Sequence, residues 1–133
     1  MPTDIFRAAS RFLEAKRHAV ATSEVVYRRD DRAVSLQATI GRTEYQQDDG
    51  YGIVTRAESR DFLIRALDLA IDGIVTLPEP GDRIEERQCG STFVYEVLPI
   101  GGQQAHYRYS DPFRQTLRIH TKLIGEEEQR CPQ

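Results

Sequence analysis

Residues 77–98, LPEPGDRIEERQCGSTFVYEVL, decide the fold of this chain. Pro78, Pro80 and Gly81 set a turn, since proline presets φ and glycine accepts a positive one. Arg83 to Arg87 then reads as a short strand, and Gln88 to Ser91 reverses the chain. Thr92 to Leu98 alternates Phe93, Tyr95 and Val97 with Val94, Glu96 and Leu98, the period-two pattern of a half-buried strand. The stretch is a complete β-hairpin with no catalytic side chain in it, so it builds a sheet and performs no chemistry.

The flanks extend the sheet. Thr3 or Asp4 can cap an amphipathic N-terminal helix whose apolar positions Ile5, Phe6, Ala9, Phe12, Leu13 and Val20 recur at helical spacing, with Arg7, Arg11, Glu14 and His18 on the other side. From Glu24 the period changes to two. Val25 and Tyr27 lead into a turn at Arg29 to Arg32, and Val34, Leu36, Ala38 and Ile40 alternate with Ser35, Gln37 and Thr39. Glu44 to Tyr51, EYQQDDGY, is polar and carries Asp49-Gly50, so it reads as a long hairpin tip or a mobile loop that orders against a partner.

Ile53 to Ile64 resumes as a strand, with imperfect alternation near Ser59 to Asp61 that suggests a bulge. Phe62, Leu63, Ala66, Leu67, Ala70 and Ile71 also suit a helix capped by Ser59 and ended by Gly73. The favoured reading is a strand to about Arg65 and then a short helical turn. After the Gly101-Gly102 break, His106 to Tyr109 forms a strand and Ser110-Asp111-Pro112 turns it. Phe113 to Ile124 returns with Leu117, Ile119, Thr121 and Leu123 on one face and Arg118, His120 and Lys122 on the other. Pairing Tyr109 with Phe113 sets Tyr107 and Tyr109 beside the apolar residues; a shift by one residue would set them with the charges. That register puts Gly102 or Gln103, rather than His106, opposite His120. Residues 1–125 form one globular domain, followed by a polar tail at 126–133 that is expected to be disordered. The class is mainly β (α+β).

Composition narrows the function. A chain of 133 residues can bury one sizeable core without disulfides or metal. Its 18 Lys and Arg against 21 Asp and Glu give a formal charge of −3, which does not suit a dedicated nucleic-acid binder. Cys89 and Cys131 lack metal-ligand spacing and read as free thiols in a reducing cytoplasm. No apolar run nears the roughly 20 residues of a membrane span, and the first residues lack a signal-peptide core.

No catalytic constellation emerges. His18, His106 and His120 sit on separate elements without metal spacing. Asp30-Asp31, Asp48-Asp49 and Glu126 to Glu128 fall in turns or the tail, where carboxylates stay solvated, and no serine has a nucleophile setting. No cofactor, metal or enzymatic activity is expected. Arg7, Arg11, Lys16, Arg17 and His18, with Tyr107 and Tyr109 beside Arg108 as a stacking platform, keep a small oligonucleotide-binding β-barrel as the alternative.

Together VTRAESRDFLI (54–64), LPEPGDRI (77–84) and RYSDPFRQTLRIHTKLIG (108–125) resemble bacteriophage and prophage head-tail connector proteins. The similarity runs from about Glu24 onward, and its most recognisable parts are the Gly-Asp-x-Ile and Ser-Asp-Pro-aromatic-Arg turns. It implies a small antiparallel β-barrel or sandwich with a flanking helix. It also implies a homo-oligomeric ring in the virion neck between portal and tail proteins, with passive passage of DNA and no membrane. Candidate assembly contacts are Asp48, Asp49, Gly50 and Tyr51 in the acidic loop, and Asp111 and Phe113 in the later turn.

Overall fold

The computed structural model describes residues 22–48, 50–88, 90–100 and 105–128. The expected N-terminal helix, Asp49, Cys89, Gly101-Gly102 and Cys131 lie outside the described residues. The strands are β1 (Thr22–Arg29), β2 (Arg32–Asp48), β3 (Val54–Arg65), β4 (Ala70–Ile71), β5 (Ile74–Val75), β6 (Arg83–Gln88), β7 (Ser91–Val97), β8 (Tyr107–Tyr109) and β9 (Thr116–Glu128), with one 3-10 turn at Ala66–Asp68.

Seven strands make one antiparallel sheet in the order β3-β2-β1-β6-β7-β9-β8, and β4 pairs with β5 in a small separate ribbon. Part of β3 also pairs with β9, from Arg60 opposite Thr121 to Arg65 opposite Thr116. Of the barrel and the sandwich expected, the layering is sandwich-like: a single sheet doubled over one core, its six main strands joined in a hydrogen-bonded circuit.

Alternation builds that core. Val25 and Tyr27 from β1, Leu36 and Ala38 from β2, Phe62 and Ile64 from β3, Ile84 from β6, Tyr95 and Val97 from β7, and Leu117 and Ile119 from β9 are all buried together. The β1–β2 hairpin turns over Asp30 and Asp31, with Arg29 opposite Arg32 and Asp30 at φ 56°, a conformation aspartate tolerates better than most residues. The 77–98 stretch folds as its pattern dictates, with Gln88 opposite Ser91 across the turn and Gly90 at φ 92°. The favoured reading of residues 62–68 also holds, since β3 ends at Arg65 and the short helical turn follows.

Several expectations are corrected. Of the long hairpin tip and the mobile loop left open at Glu44 to Tyr51, the hairpin is present, but its strand runs on to Asp48, with Glu44 to Asp48 paired residue for residue with Val54 to Glu58. No bulge interrupts Ser59 to Asp61, and the β2–β3 register is continuous; the alternation fails there because Ser59, Asp61 and Leu63 are buried on the second face while Phe62 and Ile64 fill the core. The irregularity lies instead between β7 and β9, where Val94 faces Gly125 and Tyr95 faces Leu123, leaving Ile124 as the extra residue. Residues 126–128 are not tail, because they complete β9 against Ser91 to Phe93. Lastly, Tyr109 faces Leu117 rather than Phe113, so Phe113 falls in the turn and His106 lies across from His120, whose N–H donates to the His106 carbonyl at 2.8 Å. The offset is even, so Tyr107 and Tyr109 still lean on the core.

Phe62 is fully buried and meets Tyr95 edge-on at 5.3 Å. Phe62→Ala should therefore cost about 3–5 kcal/mol in urea unfolding. Phe113 is only half-buried, so Phe113→Ala should cost less than half as much; equal losses would contradict this placement.

Candidate assembly surfaces

Among the described residues, β2 has no pairing with β1 past Thr39, and β3 has none with β9 before Arg60. From Thr43 opposite Ser59 to Asp48 opposite Val54 the two strands pair, among the described residues, only with each other. This two-stranded ribbon projects about 20 Å at ordinary strand rise. Its residues are mostly exposed, and Asp48 shapes the tip by accepting the Gly50 N–H at 2.9 Å, with Gly50 at φ 85°. Tyr51 at the tip is 90% exposed.

The ribbon is anchored at Asp61, which is fully buried on the face opposite Phe62. One carboxylate oxygen accepts from Ser59 Oγ at 2.5 Å and His120 Nδ1 at 2.8 Å. The other accepts from the Thr43 hydroxyl and from Arg118 at 2.7 Å. Arg118 reaches Asp61 from the adjacent strand β9, its guanidinium lies over Gly41 of β2, and it also donates to the Arg42 carbonyl at 3.3 Å. A Cβ at Gly41 would stand 3.1 Å from Leu63 Cδ1, closer than packing normally allows, and 3.5 Å from the Arg118 guanidinium, an ordinary contact, so the missing side chain chiefly makes room for Leu63. Burial alone would raise the Asp61 pKa, but the His120, Ser59, Thr43 and Arg118 hydrogen bonds together lower it to about 2. Ser59, His120 and Asp61 do not form a catalytic relay, because serine and carboxylate both meet the same imidazole nitrogen, Nδ1.

Where β3 and β9 part, a cleft of about 650 Å³ opens, with Ile40, Tyr95 and Leu123 as apolar lining and Glu58, Arg60 and Lys122 as charged lining. Arg60 lies 5.3 Å from the Tyr95 ring centroid and is ion-paired with Glu86. At the opposite end of the core, Asp82 accepts from the Tyr27 hydroxyl, from Arg29 at 2.8 Å and from the Glu79 N–H at 3.0 Å. Burial first, and the Asp82 carboxylate second, hold the Tyr27 phenol well above its usual pKa, so it remains a donor.

The sequence-derived contacts separate accordingly. Asp48, Gly50 and Tyr51 sit at the ribbon tip, Asp49 lies outside the described residues, and Asp111 and Phe113 lie beyond the other end of β3. Asp111 is structural: its carboxylate accepts the N–H groups of Phe113, Gln115 and Thr116 at 3.0, 2.9 and 2.8 Å. His106 Nε2 donates to the Pro78 carbonyl at 2.8 Å, so its ring has a different partner from that of His120. Sequence reading missed the Asp61 anchor, although an aspartate opening the apolar run DFLI and a glycine in mid-strand at Gly41 were its two signals.

A family model for phage head-tail joining proteins matches residues 3–128. The chain belongs to that family. It is a structural joining protein of the phage particle, and its family is not a catalytic one. The comparison with curated proteins gives no match. Among the described residues of this joining protein, no group of three or more His, Cys, Asp or Glu could hold a metal ion, and no helix is long and apolar enough to cross a membrane.

A folded-state pKa below the unfolded value contributes stability that is present above the unfolded pKa and lost as pH falls through the folded one. The joining protein should therefore lose about 2 kcal/mol from Asp61 between roughly pH 4 and pH 2. Urea unfolding across that window should show the loss, and Asp61→Asn should be less stable at neutral pH and lack that part of the acid limb. An unchanged acid limb in the variant would assign the loss to other groups.

Proposed function

We propose that the protein is one subunit of a homo-oligomeric ring in the phage neck, joining the portal side of the head to the tail, with the β2–β3 ribbon as its principal contact. The carrying observation is the ribbon itself. A two-stranded hairpin is marginal in water, yet this chain extends one well past its core and anchors it with a buried ionic cluster. An element of that kind gains its remaining stability from a neighbour. The contacts proposed at the tip are Asp48, Asp49, Gly50 and Tyr51. Acidic residues there suit a lumen through which DNA passes without adhering, since like charge opposes phosphate binding. The places of action are then the host cytoplasm during assembly and the finished virion.

The oligonucleotide-binding alternative loses its platform. Tyr107 and Tyr109 pack against the core, and their rings meet edge-on at 6.3 Å, so their faces do not stand open in a row for bases to stack on.

Replacing residues 47–55 by Asn-Gly shortens the ribbon while leaving Asp61 and the core intact. The variant is expected to keep a melting temperature close to the parent's, while complementation of a phage lacking the protein yields filled heads without tails. Normal tailed particles from a stably folded variant would overturn the reading.

A further inference from the structure

We propose that the ribbon of one copy adds, through its β3 edge at Val54–Ser59, to the β9 edge at Lys122–Glu127 of the next copy, in antiparallel register. This deepens the ring reading and rests on it.

Both edges are set up for such a junction. β3 pairs with β2 on one side along Val54–Ser59 and has no strand on the other among the described residues. Lys122 to Glu127 of β9 pairs with β7 on one side, and the β3 pairing on its other side stops at Thr121. Within one chain the two edges part from the same fork at Arg60 and Thr121, with the cleft between them. Among the described residues, each edge therefore leaves outward backbone donors and acceptors without a strand partner, the template used in strand addition.

The side chains name the occupant as a second copy. An antiparallel ladder that sets Arg56 opposite Glu126 brings Glu58 diagonal to Lys122, so two opposite-charge pairs form at once. A register two residues away sets Glu58 opposite Lys122 and leaves Arg56 diagonal to Glu126, preserving both. Val54, Leu123 and Ile124, exposed by 56%, 48% and 43%, would be covered in the same contact. The extra residue at Ile124 marks this edge as locally bent. The two edges differ, so the contact is heterologous: every copy offers one and receives the other, which is the condition for a ring that closes by rotation.

The test uses Thr55→Cys and Glu127→Cys, each alone in a Cys89→Ser, Cys131→Ser background, co-assembled into phage particles and oxidised. A reductant-sensitive dimer joining one variant to the other, absent when either is assembled alone, is the expected result. Tailed particles that contain both variants in ring copy number but no such dimer would overturn the strand junction and leave the ring reading standing. Particles holding a single copy of the protein would overturn both. A second arm needs no cysteine: Arg56→Glu should cut incorporation at least tenfold, and adding Glu126→Arg in the same chain should restore it. Failure of that restoration, with both variants melting like the parent, would also overturn the junction.

Discussion

Everything that projects from this domain depends on one buried carboxylate. Asp61 sits where β3 acquires a second neighbour, so it ties β2, β3 and β9 together through Thr43, Ser59, Arg118 and His120. A buried charge with four donors is expensive to desolvate and still more costly to leave unpartnered, so the cluster acts mainly as a specificity device. It fixes the register at which the sheet closes, and with it the residue at which the ribbon begins. Gly41, opposite Asp61 on β2, belongs to the same region, where a Cβ would press on Leu63 Cδ1 at 3.1 Å and touch the Arg118 guanidinium.

The parts of the fold written in alternating apolar residues were legible. The 83–97 hairpin, the β1–β2 pair and the run from Leu117 to Ile119 each carry one buried face, and period two needs nothing more to be read. Residues 62–68 were readable for a related reason: β3 stops at Arg65, where its alternating contact with the core gives out. The ribbon was misread because neither of its faces is buried. Its strands are held by backbone pairing, which leaves no trace in hydropathy, and a polar run with Asp49-Gly50 then looks like a loop.

The site was less legible than the fold for the same physical reason. Charged residues such as Asp30, Asp48, Glu126 and Glu127 were rightly placed away from the core, but exposure gave no hint of which belonged to a strand edge. Asp111 stood out as a candidate contact through its turn motif, and its carboxylate is spent on three backbone N–H groups. Asp61 was passed over because its partners come from positions 43, 59, 118 and 120. The β2–β3 pairing sets 43 opposite 59, and only the closure of β3 on β9 adds 118 and 120.

The continuity of β3 has a mechanical meaning. Its twelve residues run without a break from the ribbon tip to the turn where Ala66 donates to the Gln115 carbonyl at 2.8 Å, a span of about 40 Å at ordinary rise. Such a strand, stiffened by β2 along nearly its whole length, works as a beam with its fulcrum at Asp61. Once a neighbour holds the ribbon, no break in the β2–β3 register offers a hinge along the way, so a tilt imposed on the tip is carried to the far end as a change in the angle presented there. A particle that must align two unlike structures can thus set that angle once, in the pitch of a single strand.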